Sequence, residues 1–240
     1  MSKIYIFDVD GTLTPSRQRM TEEFAKFFDG WSNKNTYYLV TGSDLDKTKE
    51  QLPIAYVDRA ESIFTCCGNQ QWKNNKLIYE NNFKPSDDLL KYLEDTLDDS
   101  DYPVKAGIHI EDRGSMLNFS IVGRNCTQAQ REDYYRYDNL VNERKRISTH
   151  IREQWLKLDA VIGGQISIDI YPKGKDKSQV IYEIGKKSPG CKYIFVGDRI
   201  EGGGNDYPLA RIMKKRPDDC EVYQTSGWKQ TKQILEELND

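Results

Sequence analysis

Near its N-terminus the chain reads Ile4-Tyr5-Ile6-Phe7-Asp8-Val9-Asp10-Gly11-Thr12-Leu13-Thr14. A short apolar run closes on two carboxylates two positions apart, and a Gly-Thr turn follows. A buried strand holds its C-terminal end rigidly, so Asp8 emerges as a fixed nucleophile at the sheet edge where α/β proteins bind ligands. The two-residue period of extended chain points Asp10 the same way. Two such anions need a counter-ion, and hard carboxylate oxygens suit Mg²⁺. Gly11 permits a tight turn, and Thr12 offers a hydroxyl and a backbone N–H to a phosphate oxygen. An Asp-Gly pair alone is common in hairpins. The apolar run before it and the Thr-Leu-Thr after it make the whole phrase far more specific.

The 240 residues can form one large domain or two modest ones, and either buries a stable core. Charged residues at 30% describe a soluble protein. No apolar stretch approaches the ~20 residues of a membrane span, and the N-terminal apolar run is too short for a signal peptide. A cytoplasmic location is expected. The five cysteines are odd in number and lack a paired CxxC spacing, so reduced thiols are expected rather than a disulfide framework or a zinc site. The net charge of −3 gives no reason to expect nucleic acid or an anionic membrane as partner. Arg144-Lys145-Arg146 reads as a solvated helix face. His109 and His150 stand far apart and are expected to be structural.

Strand and helix alternate at the start: strand near 3 to 8, helix near 21 to 30, strand near 36 to 41, helix near 44 to 52. That rhythm predicts a parallel sheet with crossover helices. Ser43-x-x-Asp46 resembles a capping box for the second helix. A short strand near 62 to 66 and a hairpin around Lys73 to Lys76 follow, and the loop Asn81 to Pro85 reads as a boundary. From about 86 to 172 the pattern changes. Leu89, Leu90, Leu93 and Leu97 form one helical stripe after a Pro85-Ser86 cap. Leu117 to Ile121 and Ile166 to Ile170 alternate strictly, which predicts antiparallel strands with one polar face. Thr127-x-x-Gln130 is a second capping box, and Ile147, Ile151, Trp155 and Leu158 mark a long amphipathic helix. After about 175 the first rhythm returns: helix near 177 to 186, strand Tyr193 to Val196, a glycine-rich loop and a helix near 228 to 238. The expected architecture is α/β: a core from 1–82 and 175–240 with a parallel sheet, and an inserted α+β cap, 83–174, with an antiparallel sheet.

The opening phrase resembles the first motif of the haloacid dehalogenase superfamily of aspartyl-phosphate enzymes. That resemblance implies a Rossmann-like core and three further motifs. A hydroxyl for phosphoryl oxygens is expected at the next core strand end, where Tyr37 to Ser43 supplies Thr41 and Ser43; Thr41 at the tip is the stronger candidate. A lysine is expected to offset the charge of nucleophile and phosphoryl group, and Lys175 and Lys177 both follow Gly174. An acidic loop is expected to complete a metal site. Asp198 after the strand Tyr193 to Gly197 is its ligand, with Asn205 and Asp206 in Gly202-Gly203-Gly204-Asn205-Asp206 bracing it.

Within that superfamily the phrases Ile110 to Ser120, Gly123 to Gln128, Gly163 to Asp169 and Pro172-x-Gly174-x-Asp176-Lys177 are similar to the cap of the eukaryotic-type phosphomannomutases. The resemblance spans nearly the whole chain. It implies phosphosugar-binding arginines at Arg17, Arg113, Arg124 and Arg131, sugar-hydroxyl contacts at Ser167 and Asp169, and the catalytic lysine at Lys177. It also implies interconversion of mannose 6-phosphate and mannose 1-phosphate, with Asp8 as nucleophile and Asp10 as general acid and base. Mg²⁺ at Asp8, the Asp10 carbonyl and Asp198 is implied, with a hexose 1,6-bisphosphate as activator and a homodimer formed through the cap. A sugar-phosphate phosphatase is the alternative. Two places depart from the family pattern: Cys66-Cys67-Gly68-Asn69 stands where a Glu-Asn-Gly turn is usual, and Thr41, ordinary in related phosphatases, where glycine is usual.

Overall fold

The computed structural model describes residues 2–238. Its chain forms two compact units, one from residues up to Glu80 together with those from Lys175 onward, the other from Asn81–Gly174.

The first unit is built on a seven-stranded sheet of order β11-β10-β1-β2-β3-β4-β5. Its strands are β1 (Lys3–Phe7), β2 (Thr36–Val40), β3 (Ile63–Thr65), β4 (Gln70–Lys73), β5 (Lys76–Glu80), β10 (Lys192–Gly197) and β11 (Cys220–Gln224). The five strands from β11 to β3 are parallel, and the β4–β5 hairpin extends them antiparallel. β1 is central because both its faces are apolar. Tyr5 and Phe7 pack under α1 (Glu22–Ser32), α3 (Ile54–Arg59) and α9 (Trp228–Glu237). Ile4 and Ile6 pack on the opposite side under α7 (Gln179–Lys187) and α8 (Tyr207–Met213). α1 starts where the Thr21 side chain accepts from Phe24 N; its buried Phe28 and Trp31 meet Phe7 edge to face, and Phe28 meets Tyr37 in the same way. Truncating a ring such as Phe28 to alanine costs about 3–5 kcal/mol in a core of this kind.

The second unit is a four-stranded antiparallel sheet of order β6-β7-β9-β8: β6 (Ile110–Asp112), β7 (Leu117–Phe119), β9 (Ser167–Pro172) and β8 (Leu158–Gly163). Leu117, Phe119, Ile168 and Ile170 form a core with Leu89 and Leu93 of α4 (Asp87–Asp99), Tyr134 of α5 (Gln128–Val141) and Ile147 and Ile151 of α6 (Glu143–Gln154). Alternation then gives the other face to Asn118, Ser167 and Asp169. The two-sheet α/β architecture is therefore the expected one.

Several expectations need correction. The cap of α2 (Leu45–Gln51) is Asp44, whose carboxylate accepts from Lys47 N at 2.7 Å, not Ser43. The helix marked by Ile147 and Ile151 ends at Gln154, with Trp155 as its cap, and does not reach Leu158. α5 ends at Asn142, whose left-handed backbone (φ 57°) starts α6, and Leu158 opens β8. Arg144 is no solvated residue: it is 2% exposed and pairs with Asp138 at 2.8 Å. The break between the helices turns Arg144 inward, where it also donates to the carbonyls of Gly164 and Ser167. Lys145 and Arg146 are exposed. α3, α8, β6, β8 and β11 were not anticipated. The five cysteines are free thiols, and among the described residues no helix is long and apolar enough to cross a membrane.

Candidate active site

Parallel pairing brings three chemical ends to one edge. β1 lies between β10 and β2, so Asp8, Asp198 and Thr41 each follow the carboxyl end of a neighbouring strand. Asp8 is anchored by its own N–H, which donates to Val196 O at 3.0 Å. Its Oδ1 accepts from Lys177 Nζ at 2.6 Å and its Oδ2 from Thr12 Oγ1 at 3.1 Å. Lys177 Nζ also donates to Asp206 Oδ1 at 2.8 Å, and Asp206 Oδ2 accepts from Arg199 N. Lys177 and Asp206 are fully buried and Asn205 beside them is buried.

Carboxylate oxygens of Asp8, Asp198 and Asp206 come within 4.8 Å of one another. A cluster of three acids, Asp198 half-buried and the other two buried, with one lysine carries surplus negative charge, and an all-oxygen donor set of this kind fits Mg²⁺. Burial pushes Asp8 up to about 7, against the pull of Lys177, with Asp206 adding to the rise. Burial pushes Asp198 up to about 8, with the charges of Asp8 and Asp206 adding to it. For Lys177 burial opposes the charge, but Asp206 and Asp8 outweigh it and hold the ammonium above its ordinary range. Gly11 adopts φ +88°, and a Cβ there would stand 2.7 Å from Asp198 Oδ2. The turn that carries Asp10 can close on the cluster only with glycine.

Asp10 does not send its carboxylate into that cluster. Its Oδ1 accepts from Arg17 N and from Gln51 Nε2, the latter at 3.0 Å. Gln51 is 3% exposed and also donates to Thr14 Oγ1. Sequence reasoning missed Gln51, since a glutamine ending a helix carries no signal. It also placed Asp206 as a brace, whereas its carboxylate stands among the cluster itself. Thr41 Oγ1 accepts from Ser43 N at 3.0 Å, and the N–H groups of Cys66 and Cys67 donate to the carbonyls of Ser43 and Thr41. Cys66, Cys67 and Gly68 are three consecutive residues at positive φ. The turn departing from the family pattern thus buttresses the Thr41 loop.

In the second unit Arg113 and Arg124 meet at Glu111. Arg113 Nε donates to Glu111 Oε2 at 2.9 Å, and Arg124 Nε lies 3.4 Å from the same oxygen. Arg124 Nη1 reaches Ser167 Oγ at 3.3 Å. Asp169 Oδ1 accepts from Asn118 Nδ2 at 2.6 Å, its cross-strand partner. Gly163 leaves room for Asp169, because a Cβ there would stand 2.3 Å from Asp169 Oδ2. Arg131, 5% exposed, points Nη2 to Cys126 Sγ at 3.8 Å from the first turn of α5, which the Thr127 and Gln130 capping box opens. His109 bonds Ser120 O through Nδ1 and His150 stacks on Tyr92, both packing roles.

A parallel sheet with acids at its carboxyl edge and a unit inserted after β5 make a haloacid dehalogenase-like fold. In agreement, a haloacid dehalogenase-like hydrolase from Bacteroides thetaiotaomicron superposes with a TM-score of 0.60, over 99% of this chain and 100% of that one, at 13% identity. A family model, Eukaryotic phosphomannomutase, matches residues 24–238. A phosphomannomutase of Dendrobium officinale is 36% identical over 86% of this chain and 84% of its own length. Phosphomannomutase 1 of Dictyostelium discoideum is 33% identical over 98% and 96%. The chain belongs to the eukaryotic phosphomannomutase family of enzymes.

Proposed function

We propose that this protein interconverts mannose 6-phosphate and mannose 1-phosphate through a phosphoryl group carried on Asp8. The observation that carries the reading is the buried lysine donating to both Asp8 and Asp206, a cation set against the attacking oxygen before any substrate arrives.

Asp8, once phosphorylated from a hexose 1,6-bisphosphate, faces the free hydroxyl of a mannose monophosphate. Asp10 takes the hydroxyl proton, the sugar oxygen bonds to phosphorus, and the bond from Asp8 to phosphorus breaks. The bisphosphate so formed turns over in the site. Asp8 then attacks its other phosphoryl group, the bond from phosphorus to the sugar oxygen breaks, and Asp10 returns its proton to that oxygen. Gln51 and the Arg17 N–H hold Asp10 in the orientation both steps need. Thr12 and Lys177 hold Asp8. Thr41 and Ser43 bind the transferring phosphoryl oxygens. Asn205 supports the acidic loop. Asp8, Asp198 and the Asp10 carbonyl would hold Mg²⁺. When bound, the ion would supply charge neutralisation for the transferring group.

The distal phosphate is bound by Arg17, Arg113, Arg124 and Arg131, and the sugar hydroxyls by Ser167 and Asp169. The partners in this reading are sugar phosphates and a second copy of the chain through the cap, not nucleic acid or membrane, and the location is cytoplasmic. Sedimentation at twice the 27.9 kDa chain mass tests the dimer.

Hydrolysis on the same scaffold is the second reading, and Thr41 at the β2 tip is the residue on its side. The test supplies Mg²⁺ and mannose 1-phosphate, with and without glucose 1,6-bisphosphate, and follows ³¹P signals. Bisphosphate-dependent mannose 6-phosphate with little free phosphate is the expected result. Free phosphate without the isomer would make the protein a phosphatase.

A further inference from the structure

In the second unit one carboxylate oxygen serves two arginines. Glu111 Oε2 accepts from Arg113 Nε at 2.9 Å and from Arg113 Nη2, and Arg124 Nε lies 3.4 Å away. Arg124 continues to Ser167 Oγ at 3.3 Å. The side chains of Arg113 and Arg124 are 3% and 9% exposed, while that of Glu111 is 28% exposed. A continuous line therefore runs from Arg113 through Glu111 and Arg124 to Ser167.

Two nearly buried guanidinium groups repel each other and each loses hydration, and a carboxylate between them offsets both costs. Glu111 engages the Nε edge of both, which fixes the plane of each fork. Two positive charges and one negative leave the trio net positive, so attraction for a dianion survives. We propose that Glu111 is the positioning residue of the cap's anion site: it aims Arg113 and Arg124, and through Arg124 it sets Ser167. The inference rests on the reading of these arginines as phosphosugar ligands. The opposite role, an internal carboxylate that substrate phosphate must displace, predicts tighter binding when Glu111 is removed.

The experiment measures steady-state kinetics and calorimetric binding of mannose 1-phosphate for E111A, E111Q and E111D, with R113A and R124A as benchmarks. Positioning predicts that E111A raises KM and Kd about tenfold while kcat stays within about threefold, and that E111D restores most of the loss. A fold defect would instead lower kcat, KM-independent activity and melting temperature together. If E111A does not fold, the near-isosteric E111Q carries the test with the same expected direction. Unchanged or lower KM in the Glu111 variants, with KM raised in R124A, overturns the positioning role alone. KM and Kd unchanged in R113A and R124A overturns the reading of the cap arginines, and this inference with it.

Discussion

Lys177 Nζ lies 2.6 Å from Asp8 Oδ1, and the two groups are 0% and 3% exposed. A buried ion pair is poor ground for stability, because desolvation offsets its attraction. This one has a second carboxylate, Asp206, on the same ammonium. The arrangement is better suited to charge that arrives than to charge already present, since a preorganised cation needs no rearrangement when a phosphoryl group enters.

Replacing Lys177 with methionine leaves Asp8 and Asp206 facing each other without it. Turnover should fall by at least about 10²–10³-fold. Stability should change by less than the about 3–5 kcal/mol of a broken buried pair, because a proton can bind the acids instead. Turnover assays and urea denaturation check both. Near-normal turnover would remove Lys177 from the chemistry.

The raised Asp8 and Asp198 values make stability depend on pH in a definite direction. Their folded values of about 7 and about 8 exceed the ordinary 3.8, so the metal-free folded state holds extra protons between those limits. Their contribution is present at low pH and is lost as pH rises through about 7 to 8. Lys177, raised above its ordinary 10.5, stays charged across this window and adds no slope. Thermal melting of the metal-free protein should therefore decline more steeply with pH than that of D198N. Added Mg²⁺, which favours the ionised carboxylates, should raise the melting temperature more at the alkaline end. Equal slopes in the two proteins would contradict this.

Gln51 donates to Asp10 Oδ1 from a buried position, and its other donations go to Thr14 Oγ1 and Gln18 O. Q51A should lower kcat by about 10–10²-fold with little change in KM, since orientation of the acid and base is lost while the anion sites remain. A rise in KM alone would place Gln51 in substrate binding.

Asp138 and Arg144 bracket the break between α5 and α6 and hold the start of β9 through the Ser167 carbonyl. D138A strands a buried guanidinium and should cost about 3–5 kcal/mol in chemical denaturation. A cost below about 1 kcal/mol would mean that the pair is as dispensable as a surface one.

The motifs at strand ends were legible because β1 and β10 are short apolar runs whose last residues must face the sheet edge. Asp8 could thus be read from pattern alone, while Asp198 was singled out because the family resemblance implied an acidic loop after a core strand. Lys177 could be separated from Lys175 only through the family resemblance; the structure puts its Nζ on Asp8 and Asp206. What could not be read depended on contacts distant in sequence. Ser43 and Asp44 are both good caps, and the loop geometry set by Thr41 favours Asp44. The break at left-handed Asn142 falls just before Arg144 and turns inward a side chain that was expected in water. Glu111 stands in β6 and Arg113 just past its end, and only the structure adds Arg124 to that pair.

The central claim is that Asp8 carries the phosphoryl group. The most direct measurement incubates the protein with Mg²⁺ and glucose 1,6-bisphosphate, traps acyl phosphate by borohydride reduction, and maps the product by peptide mass spectrometry. The account predicts that the residue at position 8 is reduced to homoserine, and that D8N yields no trapped product. Trapping at another residue, or none under conditions of turnover, would contradict it.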